Sequence, residues 1–149
     1  YLGRTFIQPE QRVRELMVRL KLSVLKENVK DKRIILIDDS IVRGTTSKRI
    51  VDDLRKAGAK EVHLRVSSPP VSHSCFFGID TPDSKQLIGA SLKVDEIRDM
   101  IGVDSLGYIS IEGLAQSIGM KDKLCLACFN AKYPMEVPNS GNKFLFENR

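Results

Sequence analysis

A short apolar run followed by acidic and hydroxyl side chains is the feature that most constrains how this chain folds. Ile34–Ile37 contains isoleucine and leucine alone, which is typical of a buried strand in a parallel sheet. Two carboxylates, Asp38 and Asp39, follow directly, and positions 40–47 are rich in hydroxyl side chains. Apolar residues then recur at helical spacing until Gly58. The sequence therefore predicts a strand, a turn and a helix in that order.

The turn after this strand has the composition of an anion site. In open α/β sheets, ligands bind beyond the carboxyl ends of strands, where the next helix presents unpaired backbone amides. Gly44 permits close backbone approach or a positive φ, and hydroxyls at positions 45–47 add donors where a helix N-terminus favours an anion. Because carboxylates repel phosphate, we expect Asp38 and Asp39 to bind sugar hydroxyls or Mg²⁺. A phosphorylated pentose fits this pattern, and a helix merely capped by serine or threonine is the alternative.

Periodicity along the rest of the chain predicts an α/β protein with a parallel sheet flanked by helices. The predicted strands are Arg33–Ile37, Val62–Val66 and Leu106–Ser110. The predicted helices lie near Pro9–Lys26, Thr46–Ala57, Val94–Ile101 and Ile111–Ile118. The first of these is amphipathic and rich in arginine, and its residues alone indicate a solvated helix face.

The charge of the chain favours a small anionic ligand over nucleic acid or membrane. The formal net charge is +5 and the pI is about 9.2, but the basic residues are distributed along the chain rather than clustered. Aromatic residues make up 6% of the chain and tryptophan is absent, so platforms for stacking on bases are scarce. No segment of the sequence is long and apolar enough to span a membrane. We expect a cytoplasmic protein, since the cysteine pattern is not that of a disulfide framework.

Three cysteines form a second group of candidate functional residues. Cys125 and Cys128 make a CxxC motif, a spacing that lets two thiolates converge on one metal, and Cys75 can join them only through the fold. The motif by itself is compatible with half a zinc site, a redox pair or two buried thiols. The residues alone leave these alternatives open.

Five segments carry a resemblance to a known family. The segment IILIDDSIVRGTTS at 34–47 resembles the phosphoribosyl-pyrophosphate (PRPP) motif of type I phosphoribosyltransferases, in the form found in glutamine PRPP amidotransferases. Four further segments resemble that family in the same order: YLGRTFIQP at 1–9, SSPP at 67–70, CFFGIDTP at 75–82 and CLACFNAKYP at 125–134. The resemblance covers residues 1–138 and leaves a tail at 139–149. It implies a type I phosphoribosyltransferase fold, incomplete in this chain.

The resemblance also assigns roles to individual residues. Asp38 and Asp39 would bind the ribose hydroxyls and the Mg²⁺ that accompanies PRPP. The loop around the 5-phosphate would consist of Ser40, Arg43, Gly44, Thr45, Thr46 and Ser47. Arg4 and Lys21 lie in a segment that closes over PRPP in the family, which makes them candidate catalytic residues. The three cysteines would be three of the four ligands of a 4Fe-4S cluster, with the fourth ligand outside this chain.

The activity implied is that of the family. Ammonia derived from glutamine would displace pyrophosphate from PRPP, giving 5-phosphoribosylamine, glutamate and pyrophosphate in the first committed step of de novo purine biosynthesis. We expect the glutaminase domain to be absent from this chain, purine nucleotides to inhibit, and the full-length protein to form a homo-oligomer. Two other classes are considered: a non-catalytic regulator that binds PRPP or nucleotides on the same fold, and an interaction domain stabilised by zinc.

Overall fold

The structure is a computed structural model that describes residues 24–81, 83–120 and 123–137. These residues divide into two compact units. The sheet unit comprises the described residues of 24–38, 44–65 and 93–107. The cysteine unit comprises those of 39–43, 66–92 and 108–137.

The elements alternate between strands and helices, as an α/β protein requires. The strands are β1 (Arg33–Asp38), β2 (Glu61–Val66) and β3 (Ser105–Tyr108). The α-helices are α1 (Lys26–Val29), α2 (Thr45–Lys56), α3 (Ile88–Ser91), α4 (Val94–Ile101), α5 (Ile111–Ile118) and α6 (Ala127–Asn130), and Ser84–Gln86 forms a 3₁₀ helix. Among the residues that the structure describes, no helix has the length and apolar character needed to cross a membrane.

The described strands form one parallel sheet in the order β1-β2-β3, which confirms the predicted fold class. Val62 and Leu64 of β2 are fully buried and form the core of the sheet unit together with apolar residues of α2 and α4. β1 is one of the two edge strands of this described sheet, and its Ile35 and Ile37, which share one face of the strand, are 68% and 74% exposed. The prediction of a buried strand is therefore wrong for these two side chains within the described residues.

Three of the four predicted helices agree with α2, α4 and α5 to within one residue at each end, and β3 shows where the prediction of a strand extends too far. We predicted a strand through Ser110, but β3 ends at Tyr108. The Ser110 hydroxyl instead accepts a hydrogen bond from the Gly113 amide at 2.9 Å and caps α5. The predicted helix over Pro9–Lys26 falls almost entirely outside the described residues.

Asp104 connects three parts of the sheet unit just before β3. Its carboxylate accepts a hydrogen bond from the Val62 amide at 2.6 Å and pairs with the Arg55 guanidinium at 2.7 Å. The Asp104 amide donates in return to the Val62 carbonyl at 2.9 Å. The hydrogen bond from Val62 lowers the pKa of the Asp104 carboxyl below its usual value, and Arg55 lowers it further. The ionised form of Asp104 is therefore the one that the fold stabilises.

Replacing Asp104 with Asn is expected to lower the free energy of unfolding by about 1 kcal/mol at pH 7. A hydrogen bond to a charged group contributes roughly 1.5–3 kcal/mol, and solvent screening reduces this because the carboxylate side chain is 40% exposed. The pKa of the Asp104 carboxyl is lower in the folded protein than in the unfolded chain. Its contribution to stability is therefore fully present above the unfolded pKa of about 3.9 and is lost as the pH falls through the folded pKa. Urea unfolding at pH 7 and pH 3 measures the effect.

The matched control is Asp99→Asn, which removes an exposed partner of Arg98 and should leave stability nearly unchanged. The Asp104→Asn variant and the unmodified protein should differ less in free energy of unfolding at pH 3 than at pH 7. An equal difference at the two pH values would contradict the role of the ionised carboxylate.

Candidate functional site

The structure describes most of the predicted site residues and divides them between the two units. Asp38 and the residues Gly44, Thr45, Thr46 and Ser47 belong to the sheet unit. Asp39, Ser40, Arg43 and all three cysteines belong to the cysteine unit. Arg4 and Lys21 lie outside the described residues.

In the sheet unit, the predicted ribose-phosphate motif ends a strand and begins a helix. Asp38 is the last residue of β1. Gly44 precedes α2 in the left-handed conformation, with φ of 73°, which glycine adopts without strain. The amide of Lys48 donates to the Gly44 carbonyl at 2.9 Å and closes the first helical turn. The predicted strand, turn and helix are thus observed in the predicted order.

The N-terminus of α2 is not capped in the way that the alternative interpretation requires. The N-cap residue is Gly44, which has no side chain to make a capping hydrogen bond. The Ser47 hydroxyl lies 3.4 Å from Asp38 Oδ2 and donates to it. Ser47 itself is 3% exposed. Backbone amides at a helix N-terminus can bind an anion, and here they follow a carboxylate that can accept from hydroxyls.

In the cysteine unit, the middle of the motif is anchored by its apolar residues and leaves its polar ends accessible. Ile41 is 2% exposed, whereas Asp39 and Arg43 are exposed. The Ser40 hydroxyl donates to Asp39 Oδ1 at 3.1 Å. The Val42 carbonyl accepts from the Ile88 amide at 3.0 Å. The buried Ile41 and the backbone bond at Val42 thus hold this segment, while Asp39 and Arg43 at its ends are exposed.

The two cysteine segments are held together by backbone hydrogen bonds within the cysteine unit. The amides of Ser72 and His73 both donate to the Cys128 carbonyl, each at 3.0 Å. The Cys75 amide donates to the buried Thr81 hydroxyl at 2.8 Å. The first two bonds join Ser72 and His73 to the CxxC motif, and each of the three cysteines is a free thiol.

Aromatic side chains lie near these thiols, and the Cys128 thiol is affected by burial and by its neighbouring cysteines. The Tyr133 hydroxyl donates to the Ser74 carbonyl at 2.7 Å, and the Tyr133 ring lies 5.4 Å from that of Phe76 in an edge-on arrangement. Burial raises the pKa of the Cys128 thiol, and the negative charges of Cys75 and Cys125 raise it further. A bound cationic centre would stabilise the Cys128 thiolate, whose formation burial and these charges oppose.

The chemistry of this donor set fits an iron-sulfur cluster. The Phe77 amide donates to Cys75 Sγ at 3.4 Å, and hydrogen bonds of this kind to ligating sulfurs tune iron-sulfur centres. Within the described residues, no group of three or more His, Cys, Asp and Glu side chains is arranged to hold a single metal ion. A cluster makes a different demand, because each cysteine binds its own iron atom.

The supporting residues around the cysteines were not identified from the sequence. Thr81 and Tyr133 hold the chain on either side of the thiols. Both lie in the segments CFFGIDTP and CLACFNAKYP that carried the family resemblance. Their position inside those segments was the available signal, but only the fold shows which atoms they contact.

No family model matches this chain. Individual curated proteins do match it, over most of its length. The chain is 55% identical over 142 residues to the amidophosphoribosyltransferase of Bacillus subtilis (strain 168), a match covering 92% of this chain and 30% of that relative. It is 58% identical over 137 residues to the amidophosphoribosyltransferase of Methanocaldococcus jannaschii, covering 92% of this chain and 29% of that relative.

A solved structure matches in fold as well as in sequence. It is glutamine PRPP amidotransferase from B. subtilis complexed with ADP and GMP, with a TM-score of 0.78 and 54% identity. The match covers 94% of this chain and 32% of that one. The chain therefore spans about 30% of the length of the curated relatives that it matches.

Proposed function

This chain belongs to the amidophosphoribosyltransferase family, and we propose that the full-length protein transfers ammonia from glutamine to PRPP. The products are 5-phosphoribosylamine, glutamate and pyrophosphate. The chain would contribute the part of the transferase domain that binds ribose and the 5-phosphate. Glutamine hydrolysis would take place in a domain outside it.

The observation that carries this proposal is the geometry of the motif in the sheet unit. A strand ends at Asp38, and Gly44 at positive φ is the N-cap of the helix that follows, so the N-cap residue itself has no side chain to occupy the helix amides. A dianionic phosphate satisfies such amides and is favoured by the helix dipole. Asp38 accepts hydrogen bonds from hydroxyls, as the Ser47 hydroxyl demonstrates. One ligand that carries both a phosphate and vicinal hydroxyls matches these requirements.

Each part of the motif has a role in the proposed reaction. The hydroxyls and amides of residues 43–47 would bind the 5-phosphate, together with Ser40. Asp38 and Asp39 would bind the ribose hydroxyls and Mg²⁺, whose preferred ligands are carboxylate oxygens. Mg²⁺, when bound, neutralises charge on the departing pyrophosphate. The carboxylates would thereby orient the sugar so that ammonia meets its anomeric carbon.

Displacement at an anomeric carbon passes through a state resembling an oxocarbenium ion, as in glycoside hydrolysis. Such a state requires cationic groups near the leaving group and the exclusion of water, which would hydrolyse the sugar. Arg4 and Lys21 are the candidates for these contacts, from a segment that would close over PRPP. No side-chain nucleophile is needed, because ammonia forms the new C–N bond directly as the C–O bond to pyrophosphate breaks.

The three thiols would hold a 4Fe-4S cluster, with one ligand from outside this chain. The amides of Ser72 and His73 donate to the Cys128 carbonyl, which holds the segment that leads to Cys75 against the CxxC motif. When bound, the cluster cross-links these segments. Cys75, Cys125 and Cys128 are its proposed ligands.

The remaining partners follow from the same proposal. Purine nucleotides are the proposed inhibitors, since the B. subtilis relative is described in complex with ADP and GMP. The homo-oligomer and the cytoplasmic location stay predictions.

The proposed activity is tested directly with the full-length protein, PRPP and Mg²⁺. We expect the protein to release pyrophosphate only when glutamine or ammonia is present. A coupled pyrophosphate assay measures this release. A protein that binds PRPP but releases no pyrophosphate with either nitrogen source would instead support a non-catalytic regulator. A protein that does not bind PRPP would contradict the proposal.

A further inference from the structure

The motif contains two residues to which the proposed function gives no ligand contact, and one of them is bound by a distant helix. Between Ser40 and Arg43 lie Ile41 and Val42. The Val42 carbonyl accepts a hydrogen bond at 3.0 Å from the amide of Ile88, the first residue of α3. All of these residues belong to the cysteine unit. The centre of the motif is therefore attached to an element that follows it by more than forty positions.

Helix α3 is itself fixed in place by a close backbone approach. A Cβ atom on Gly89 would lie 2.7 Å from the Val71 carbonyl oxygen and 3.3 Å from the Pro70 side chain. Val71 is buried. The Leu87 amide donates to the Ser84 carbonyl at 3.1 Å, and the Leu87 side chain is fully buried. The amide of Ile88 is therefore presented from a rigid support.

Two anchors consequently hold a segment whose ends are exposed. Ile41 is buried by packing, and Val42 is held by the Ile88 amide, while Asp39 and Arg43 remain exposed on either side. A free backbone would have to lose conformational entropy whenever a ligand ordered it. A backbone that is ordered in advance avoids that loss, which raises affinity without any new ligand contact.

We propose that the backbone N–H of Ile88 is a positioning group for the ribose-phosphate motif. It acts through Val42, keeping Asp39, Ser40 and Arg43 in the arrangement that binds the sugar phosphate. This inference rests on the proposed function, because it concerns the affinity of the same site for PRPP. Loss of the hydrogen bond should raise KM for PRPP about three- to tenfold, the factor expected for one intramolecular hydrogen bond.

The substitution Ile88→Pro removes this donor with little other change. Proline is well tolerated at the first position of a helix, and the preceding Leu87 has an extended backbone, with φ −83° and ψ 109°, as a residue before proline requires. Ile88→Ala is the matched control, because it shortens the side chain and keeps the N–H. In the full-length protein, Ile88→Pro should raise KM for PRPP three- to tenfold over Ile88→Ala, measured by pyrophosphate release with ammonia.

A merely structural role would give a different pattern. We expect the two variants to share the same thermal midpoint and the same glutaminase rate. Equal KM values for PRPP would overturn the inference, and so would a joint loss of glutaminase and PRPP use with a lowered midpoint. Should Ile88→Pro fail to fold, Gly89→Val provides a second measurement, since it displaces α3 from Val71 and keeps the amide. An unchanged KM in that variant would also overturn the inference.

Failure of this inference is distinguishable from failure of the proposed function. A full-length protein that never uses PRPP contradicts the function itself. A protein that uses PRPP and loses that ability in Asp38→Asn, but keeps its KM in Ile88→Pro, contradicts the positioning role of Ile88 alone.

Discussion

Replacing Asp38 with Asn in the full-length protein is expected to lower kcat/KM for PRPP about a hundredfold, which corresponds to about 2.7 kcal/mol. Asparagine has nearly the same size and shape as aspartate but no negative charge. It therefore binds the ribose hydroxyls more weakly and is a poor ligand for Mg²⁺. Because Asp38 ends β1 and contacts Ser47 at the start of α2, the substitution acts at the centre of the proposed site.

Glutaminase activity, measured separately with glutamine alone, should be unchanged in this variant. Asp31→Asn is the matched control: it removes the same charge from the same unit, and Asp31 has a φ of 61° that asparagine readily adopts. We expect that control to use PRPP normally. Equal loss of both activities in Asp38→Asn would indicate misfolding and would remove the support for a direct role of this carboxylate.

The second large effect concerns the cysteines. Full-length protein purified without oxygen should show the broad visible absorption of an iron-sulfur cluster, and Cys128→Ser should lose nearly all of the bound iron. Serine replaces the sulfur with an oxygen that is a poor ligand for iron-sulfur clusters. The Cys128 carbonyl is held by two amides, so the backbone of the variant should stay in place while the ligand is lost.

Iron analysis and the visible spectrum measure this effect together. Ser72→Ala is the control, because it removes only a hydroxyl that donates to the Phe129 carbonyl at 3.3 Å in the same region. That variant should keep its iron. Stoichiometric zinc without iron in the unmodified protein would contradict the cluster and support an interaction domain stabilised by zinc.

Local chemistry explains which elements were predictable from the sequence. α2 was predicted within one residue at each end, since its apolar positions recur at helical spacing and Gly58 follows its end. β3 was predicted to extend through Ser110, because alternation in hydropathy does not reveal that a serine hydroxyl caps the following helix. The four-residue helices α1, α3 and α6 were missed, since a single turn carries no periodicity.

In the candidate site as well, local features were predictable from the sequence and contacts between distant residues were not. The order of strand, carboxylates, glycine and hydroxyls was enough to predict a site for a sugar phosphate, because the termini of adjacent elements are close in any strand–turn–helix. The attachment of Val42 to Ile88 was not predictable. No local pattern relates two residues that are far apart along the chain, and the contact exists only once α3 has packed against Val71.

By itself, the sequence determined the fold class, the order of strand, turn and helix at positions 33–57, and the CxxC spacing of Cys125 and Cys128. These depend on residue type and on spacing over a few positions, where backbone geometry limits the possible arrangements. Only the tertiary structure decided that Gly44 rather than a hydroxyl residue begins α2, and that Ser72 and His73 bind the chain at Cys128. These hydrogen bonds join backbone groups that come together only after the core has formed. Burial requires each buried backbone group to have a hydrogen-bond partner, but the local sequence does not specify which partner that is.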